Sequence, residues 1–131
     1  MVNFNTDLIT IPKAELTVYK CFVVYCCEQL NIEAPVNIIF LPSKNDMGIT
    51  TGGYDRTDKV FCRVENRALI DCCRTIAHEL VHMSQKLKGA FKLEEVVQDI
   101  GGPIEDEANA VAGQLIKKFV KDIDCRWIYE I

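Results

Sequence analysis

The chain has 131 residues, of which 49% are hydrophobic, a length and composition that suit one compact domain with little room for a second. The net charge is -4 and the Lys and Arg residues are scattered, so we expect no nucleic-acid-binding surface. No apolar run approaches the roughly 20 residues of a membrane span, and the N-terminus lacks the basic and apolar regions of a signal peptide. We therefore expect a single domain over residues 1–131, located in the cytosol, with no membrane partner.

The seven cysteines do not predict a disulfide framework, because their number is odd and no export signal precedes them. The adjacent pairs Cys26-Cys27 and Cys72-Cys73 lack the C-x-x-C spacing of a structural zinc site. Cys21, Cys62 and Cys125 lie among apolar neighbours, as small core residues do. We expect free thiols without a metal or catalytic role.

The first predicted elements are a helix and a strand. Apolar residues recur at three- and four-residue steps from Pro12 to Leu30, which predicts a helix packed deeply against a sheet. Val36–Leu41 is a short apolar run rich in β-branched residues and stopped by Pro42, which indicates a central strand.

Two further strands are predicted at Ile49–Tyr54 and Lys59–Val64, joined by the turn-like segment Asp55–Asp58. The first contains Gly52-Gly53, and the pattern leaves two interpretations open. The segment is either an exposed edge to which an extended peptide could add itself as a strand, or a hairpin with a loose turn. With the central strand, these predict a three-stranded, mostly antiparallel sheet in an α+β fold.

The next predicted helix runs from about Arg67 to Lys86, with Asn66 as its N-cap, and it contains the only two histidines of the chain. His78 and His82 flank Glu79 in an H-E-x-x-H pattern. A four-residue step puts both imidazoles on one helix face, close enough to share one metal ion. The alternative is a surface helix that carries two histidines by chance.

Gly89–Gly102 is predicted to be a mobile rim over the site or a plain connector, and Ile104 to Val120 a last helix. A catalytic zinc ion usually takes three protein ligands, so the two histidines need a third donor. Glu105 lies on the packed face of the last helix, whereas Glu107 points to solvent. We predict Glu105 as the third ligand, with Glu107 in reserve.

One alternative and one further site residue concern this last helix. All its early carboxylates could merely occupy a helix N-terminus, where anions are favoured. In the predicted metal site, Asn109, one turn beyond Glu105, could hydrogen-bond a ligand histidine and orient it.

The chain resembles the gluzincin branch of zinc metallopeptidases in two motifs, the H-E-x-x-H at His78–His82 and the E-x-x-A-N that starts at Glu105. It is most similar to the minigluzincins and to the peptidases that cleave phage-type repressors. The predicted order of elements agrees with their zincin-like domain of a helix, a small sheet, the H-E-x-x-H helix and a glutamate helix. One departure is that no tyrosine, histidine or arginine matches the family's transition-state donor.

The resemblance implies a zinc-dependent endopeptidase that acts on a peptide or protein substrate. The resemblance also implies that His78, His82 and Glu105 hold one Zn²⁺ and that Glu79 is the general base. The alternative is a catalytically weak or inactive protein of the same fold that binds a partner protein. A third interpretation is a structural domain without a metal. The sequence leaves the oligomeric state and the host open.

Overall fold

The computed structural model describes residues 1–89 and 102–131, which form a small α+β domain. Its sheet has four strands, which are β1 (Val2–Asn5), β2 (Val36–Leu41), β3 (Gly52–Tyr54) and β4 (Lys59–Arg63). Their order across the sheet is β1-β2-β4-β3, which leaves β3 at one edge. The central strand and the antiparallel pairing of the last two strands are confirmed.

The prediction of a three-stranded, mostly antiparallel sheet is wrong. Val2–Asn5 forms an additional strand that pairs parallel with β2, and β2 in turn pairs parallel with β4. A parallel neighbour needs a crossover connection, which the first helix supplies between β1 and β2. Apolar and polar residues alternate in Val2–Asn5, which is a strand signal, although only four residues long.

Within residues 1–89 and 102–131, three α-helices accompany the sheet, namely α1 (Lys13–Gln29), α2 (Leu69–Leu87) and α3 (Pro103–Ile123). A short 3₁₀ helix, Arg126–Glu130, follows α3 and buries Ile128. The N-cap of α2 is Ala68 and not Asn66, which has a positive φ of 59° in the turn before the helix. In the described part of the chain, no helix has the length and apolar character needed to span a membrane.

The core lies between the inward face of the sheet and α1, α2 and α3. Side chains of Ile38, Phe40 and Val60 on the sheet are fully shielded from solvent, as are Ile76 and Leu80 on α2. α2 contacts β3, β4 and both other helices, so one of its faces lies beside the edge strand.

All seven cysteines are free, and six of them are buried. Cys21 is exposed, so its assignment to the core was wrong. Burial raises the pKa of the Cys73 thiol. The pKa of Cys62 is raised by the hydrogen bond that its thiol donates to Cys72 and by burial, so Cys62 and Cys73 both remain protonated at neutral pH. The prediction for Gly89–Gly102 falls mainly on residues 90–101, outside the described part of the chain.

Candidate metal centre

α2 brings the three residues of the H-E-x-x-H pattern to one place. The Nε2 atoms of His78 and His82 lie 3.1 Å apart. The ligand atoms of His78, Glu79 and His82 all fall within 4.8 Å of one another, so this group could hold a metal ion. The geometry follows from the helix, because residues four apart stand one turn above each other on the same face.

α3 adds a carboxylate to these imidazoles. Glu105 Oε2 lies 3.2 Å from His78 Nε2, and Glu105 Oε1 lies 2.6 Å from His82 Nε2. Glu105 is only 6% exposed, as the helical face predicted. Its Oε1 atom is fully shielded from solvent, and its contact with His82 does not have the geometry of a hydrogen bond.

The chemistry of this donor set suits a divalent metal ion. Two imidazole nitrogens and one carboxylate are the ligands of many catalytic zinc sites, which keep a further position open. A buried carboxylate oxygen without a hydrogen bond is costly unless a cation lies beside it. Glu105, His78 and His82 therefore form a suitable place for a divalent cation.

The reserve ligand, Glu107, is placed differently. It is exposed, and its Oε1 accepts a hydrogen bond of 3.0 Å from Nε2 of Gln85. Of the two glutamates, Glu105 is the one that faces both imidazoles.

Gln85 is a residue of the site that the sequence analysis missed. It is 4% exposed and lies one turn beyond His82 on α2, with its Oε1 2.7 Å from His82 Nδ1. Its Nε2 donates to the carbonyl oxygen of Ile104 at 3.0 Å. The available signal was a polar side chain three residues after the second histidine of the helix.

The candidate metal centre opens into a cavity of about 690 Å³ between α2 and the edge strand β3. Polar and charged side chains dominate its wall, and the lining residues are Thr51, Gly52, Gly53, Tyr54, Arg56, Arg67, Asp71, Arg74, Thr75, His78, Glu79, His82, Glu105 and Asn109. Its volume lies within the usual range of ligand-binding pockets.

Arg67 fixes the distance between the edge strand and α2. Its guanidinium donates to the carbonyl oxygen of Arg63 at 2.8 Å and to that of Thr51 at 3.3 Å. It also donates to Thr75 Oγ1 at 2.7 Å. One side chain thus ties the start of β3 to the helix that carries the histidines.

Gly52 makes the close approach of β3 to α2 sterically feasible. A Cβ atom built on Gly52 would lie 2.3 Å from Thr75 Cγ2 and 2.8 Å from the carbonyl oxygen of Phe61. The second of these atoms is backbone and cannot rotate away. At Gly53, by contrast, the nearest atom to an added Cβ is Ile49 Cδ1 at 3.7 Å, an ordinary contact.

We expect Gly52→Ala to destabilise the protein by about 1–3 kcal/mol, the usual cost of forcing extra volume into a packed region. Gly53→Ala is the matched control and is expected to change stability much less, because its Cβ has room. Urea unfolding of the two variants measures the difference. Equal stabilities would show that β3 shifts freely and does not pack tightly against α2.

Four side chains that can donate a hydrogen bond also lie in this wall. Tyr54, Arg56, Arg67 and Arg74 all line the cavity, although no sequence motif marked them. Burial, with Asp55 and Asp58 adding negative charge, raises the pKa of Tyr54 to about 12. Its phenol hydroxyl therefore keeps its proton at neutral pH, and it donates to the carbonyl oxygen of Thr57 at 3.2 Å.

Asn109 is exposed and lines the same cavity. Its predicted hydrogen bond to a ligand histidine stays a prediction, since the partner found at His82 Nδ1 is Gln85.

Comparisons with protein-family models, with curated proteins and with solved structures find no match to this chain.

Proposed function

We propose that the chain is a zinc-dependent peptidase of the gluzincin type, in a zincin-like domain. The observation that carries this proposal is the convergence of His78 Nε2, His82 Nε2 and the buried Glu105 carboxylate beside Glu79. A cavity lined by an edge strand opens from the same point. Metal site, carboxylate base and peptide-sized cavity are the parts that metal-assisted peptide hydrolysis requires.

His78, His82 and Glu105 would hold the zinc ion. When bound, zinc makes water a stronger nucleophile at neutral pH and polarises the carbonyl group of the substrate. Glu79 accepts a proton from the attacking water as the oxygen bonds to the carbonyl carbon. Glu79 then delivers that proton to the amine nitrogen as the carbon–nitrogen bond breaks.

The substrate would lie extended along β3. In the described part of the sheet, β3 pairs with β4 on one side only, so its other edge can add a further strand. Hydrogen bonds from such an edge bind the peptide backbone with little regard to sequence. The side chains of the cavity wall would then select among peptides.

The first test of this proposal is the zinc content of the purified protein, measured by elemental analysis. The wild type is expected to hold one zinc ion and His78→Ala to hold little, because a ligand is gone. Arg74→Ala is the control, since Arg74 lies one turn away on α2 in the same cavity wall. A wild type that binds no zinc even after reconstitution would refute the metallopeptidase proposal.

A further inference from the structure

We propose that Gln85 is a positioning residue, which orients His82 toward the metal and holds the start of α3 so that Glu105 faces the same ion. The inference rests on the proposed metal centre and assigns the role of a side chain outside its ligand set. Gln85 lies on α2 and contacts residues of both helices that form the site. Its partners are His82 on α2 and Ile104 and Glu107 on α3.

The orientation of the Gln85 amide follows from its partners on α3. The carbonyl oxygen of Ile104 can only accept hydrogen bonds, and a carboxylate such as that of Glu107 accepts as well. Both lie 3.0 Å from the same amide atom of Gln85, which must therefore be the NH₂ group. The amide oxygen, Oε1, is consequently the atom that faces His82.

This orientation determines which nitrogen of His82 carries the proton. Oε1 of Gln85 can only accept, so at 2.7 Å the Nδ1 atom of His82 must donate a hydrogen. In a neutral imidazole the lone pair is then on Nε2. Nε2 is the atom that points at Glu105 Oε1 and at His78 Nε2, where a metal ion would sit.

The same side chain also locates the third ligand along the chain. Ile104 immediately precedes Glu105, so the hydrogen bond to its carbonyl oxygen fixes the peptide unit that leads into the ligand residue. The bond to Glu107 holds the first turn of α3 from the solvent side. Gln85 thereby links the helix of the histidines to the helix of the glutamate, and its burial makes these bonds difficult for water to replace.

Zinc affinity measured by competition with a chelator tests the inference. In Gln85→Met, which has similar size but neither bonding group, we expect the affinity to fall roughly 10–100-fold, as when the outer partner of a ligand histidine is lost. Ser84→Ala is the matched control. Ser84 directly precedes Gln85 on α2 and is equally buried, at 4% exposure. Its hydroxyl lies 3.5 Å from the carbonyl oxygen of Leu30, away from the proposed metal centre.

Gln85→Glu separates orientation from packing. A carboxylate would still accept from His82 Nδ1, but it would meet the Ile104 carbonyl oxygen and the Glu107 carboxylate, both acceptors. We expect this variant to be less stable than Gln85→Met in urea, yet to bind zinc more tightly. A purely structural role predicts that zinc affinity and stability fall together.

The position of the His82 proton is measured directly by nitrogen-detected NMR of the imidazole ring in zinc-free wild-type protein. A proton on Nδ1 is expected, and a ring with a proton on Nε2 but none on Nδ1 would overturn the inference. Equal loss of zinc affinity in Gln85→Met and Ser84→Ala would overturn it as well. Failure of the wild type to bind zinc refutes the proposed function instead, so the two failures are distinguishable.

Discussion

Glu79→Gln is expected to slow peptide hydrolysis by roughly 10²–10⁴-fold, the contribution of a positioned general base. Glutamine has nearly the same shape as glutamate but cannot accept the proton of the attacking water. Because Glu79 is outside the proposed ligand set, zinc content should remain near that of the wild type. The measurement is cleavage of a broad peptide mixture by mass spectrometry, with zinc analysed in the same samples.

Asp71→Asn is the control for loss of a negative charge in the cavity. Asp71 lines the same wall two turns earlier on α2, where Arg74 Nη1 lies 3.3 Å from its carboxylate. Exposed pairs of this kind contribute little, so the rate should change far less than in Glu79→Gln. Hydrolysis that survives Glu79→Gln at wild-type rate would remove Glu79 from the mechanism. A zinc-loaded wild type that cleaves no peptide would favour the alternative of a protein-binding module.

The part of the site that could be predicted from the sequence is the part encoded by helical periodicity. The spacing of His78 and His82 determines their common face, and the neighbours of Glu105 on α3 place it on the buried side. Both relations are local, within one or two turns of one helix. The structure brings the two helices together and leaves Glu105 beside both imidazoles.

Gln85 and the cavity wall depended on tertiary contacts and could not be predicted in this way. The partners of Gln85 on α3 are 19 and 22 residues further along the chain. Arg67 reaches a carbonyl oxygen 16 residues away, on the far side of the cavity. No periodicity relates such positions, because their contacts exist only once the sheet and helices have packed.

Strand β1 was not predicted for a different reason. Val2–Asn5 is short and half-exposed, and its neighbour in the sheet, Val36–Leu41, is more than 30 residues away. A four-residue segment carries little strand signal by itself and is stabilised mainly by its pairing. The parallel direction follows from the position of α1 between the two strands, a topological fact that composition does not encode.

Glu105→Gln is expected to lower zinc affinity because a charged ligand is lost. The loss should exceed the roughly 10–100-fold that is typical when a residue hydrogen-bonded to a ligand is removed. Zinc at 100 times its Kd stabilises a protein by about 2.7 kcal/mol. This zinc-dependent increment should be present in the wild type and absent from Glu105→Gln at the same zinc concentration. Urea unfolding with and without zinc measures it.

Glu107→Gln is the matched control, because it makes the same chemical change two residues along the same helix. Glutamine at position 107 can still accept the hydrogen bond from Gln85 through its amide oxygen, so both the metal centre and its support should persist. We expect its zinc-dependent stabilisation to match that of the wild type. The opposite pattern, with the increment lost in Glu107→Gln and kept in Glu105→Gln, would make Glu107 the third ligand. It would also mean that the buried Glu105 carboxylate serves only to pair with the two imidazoles.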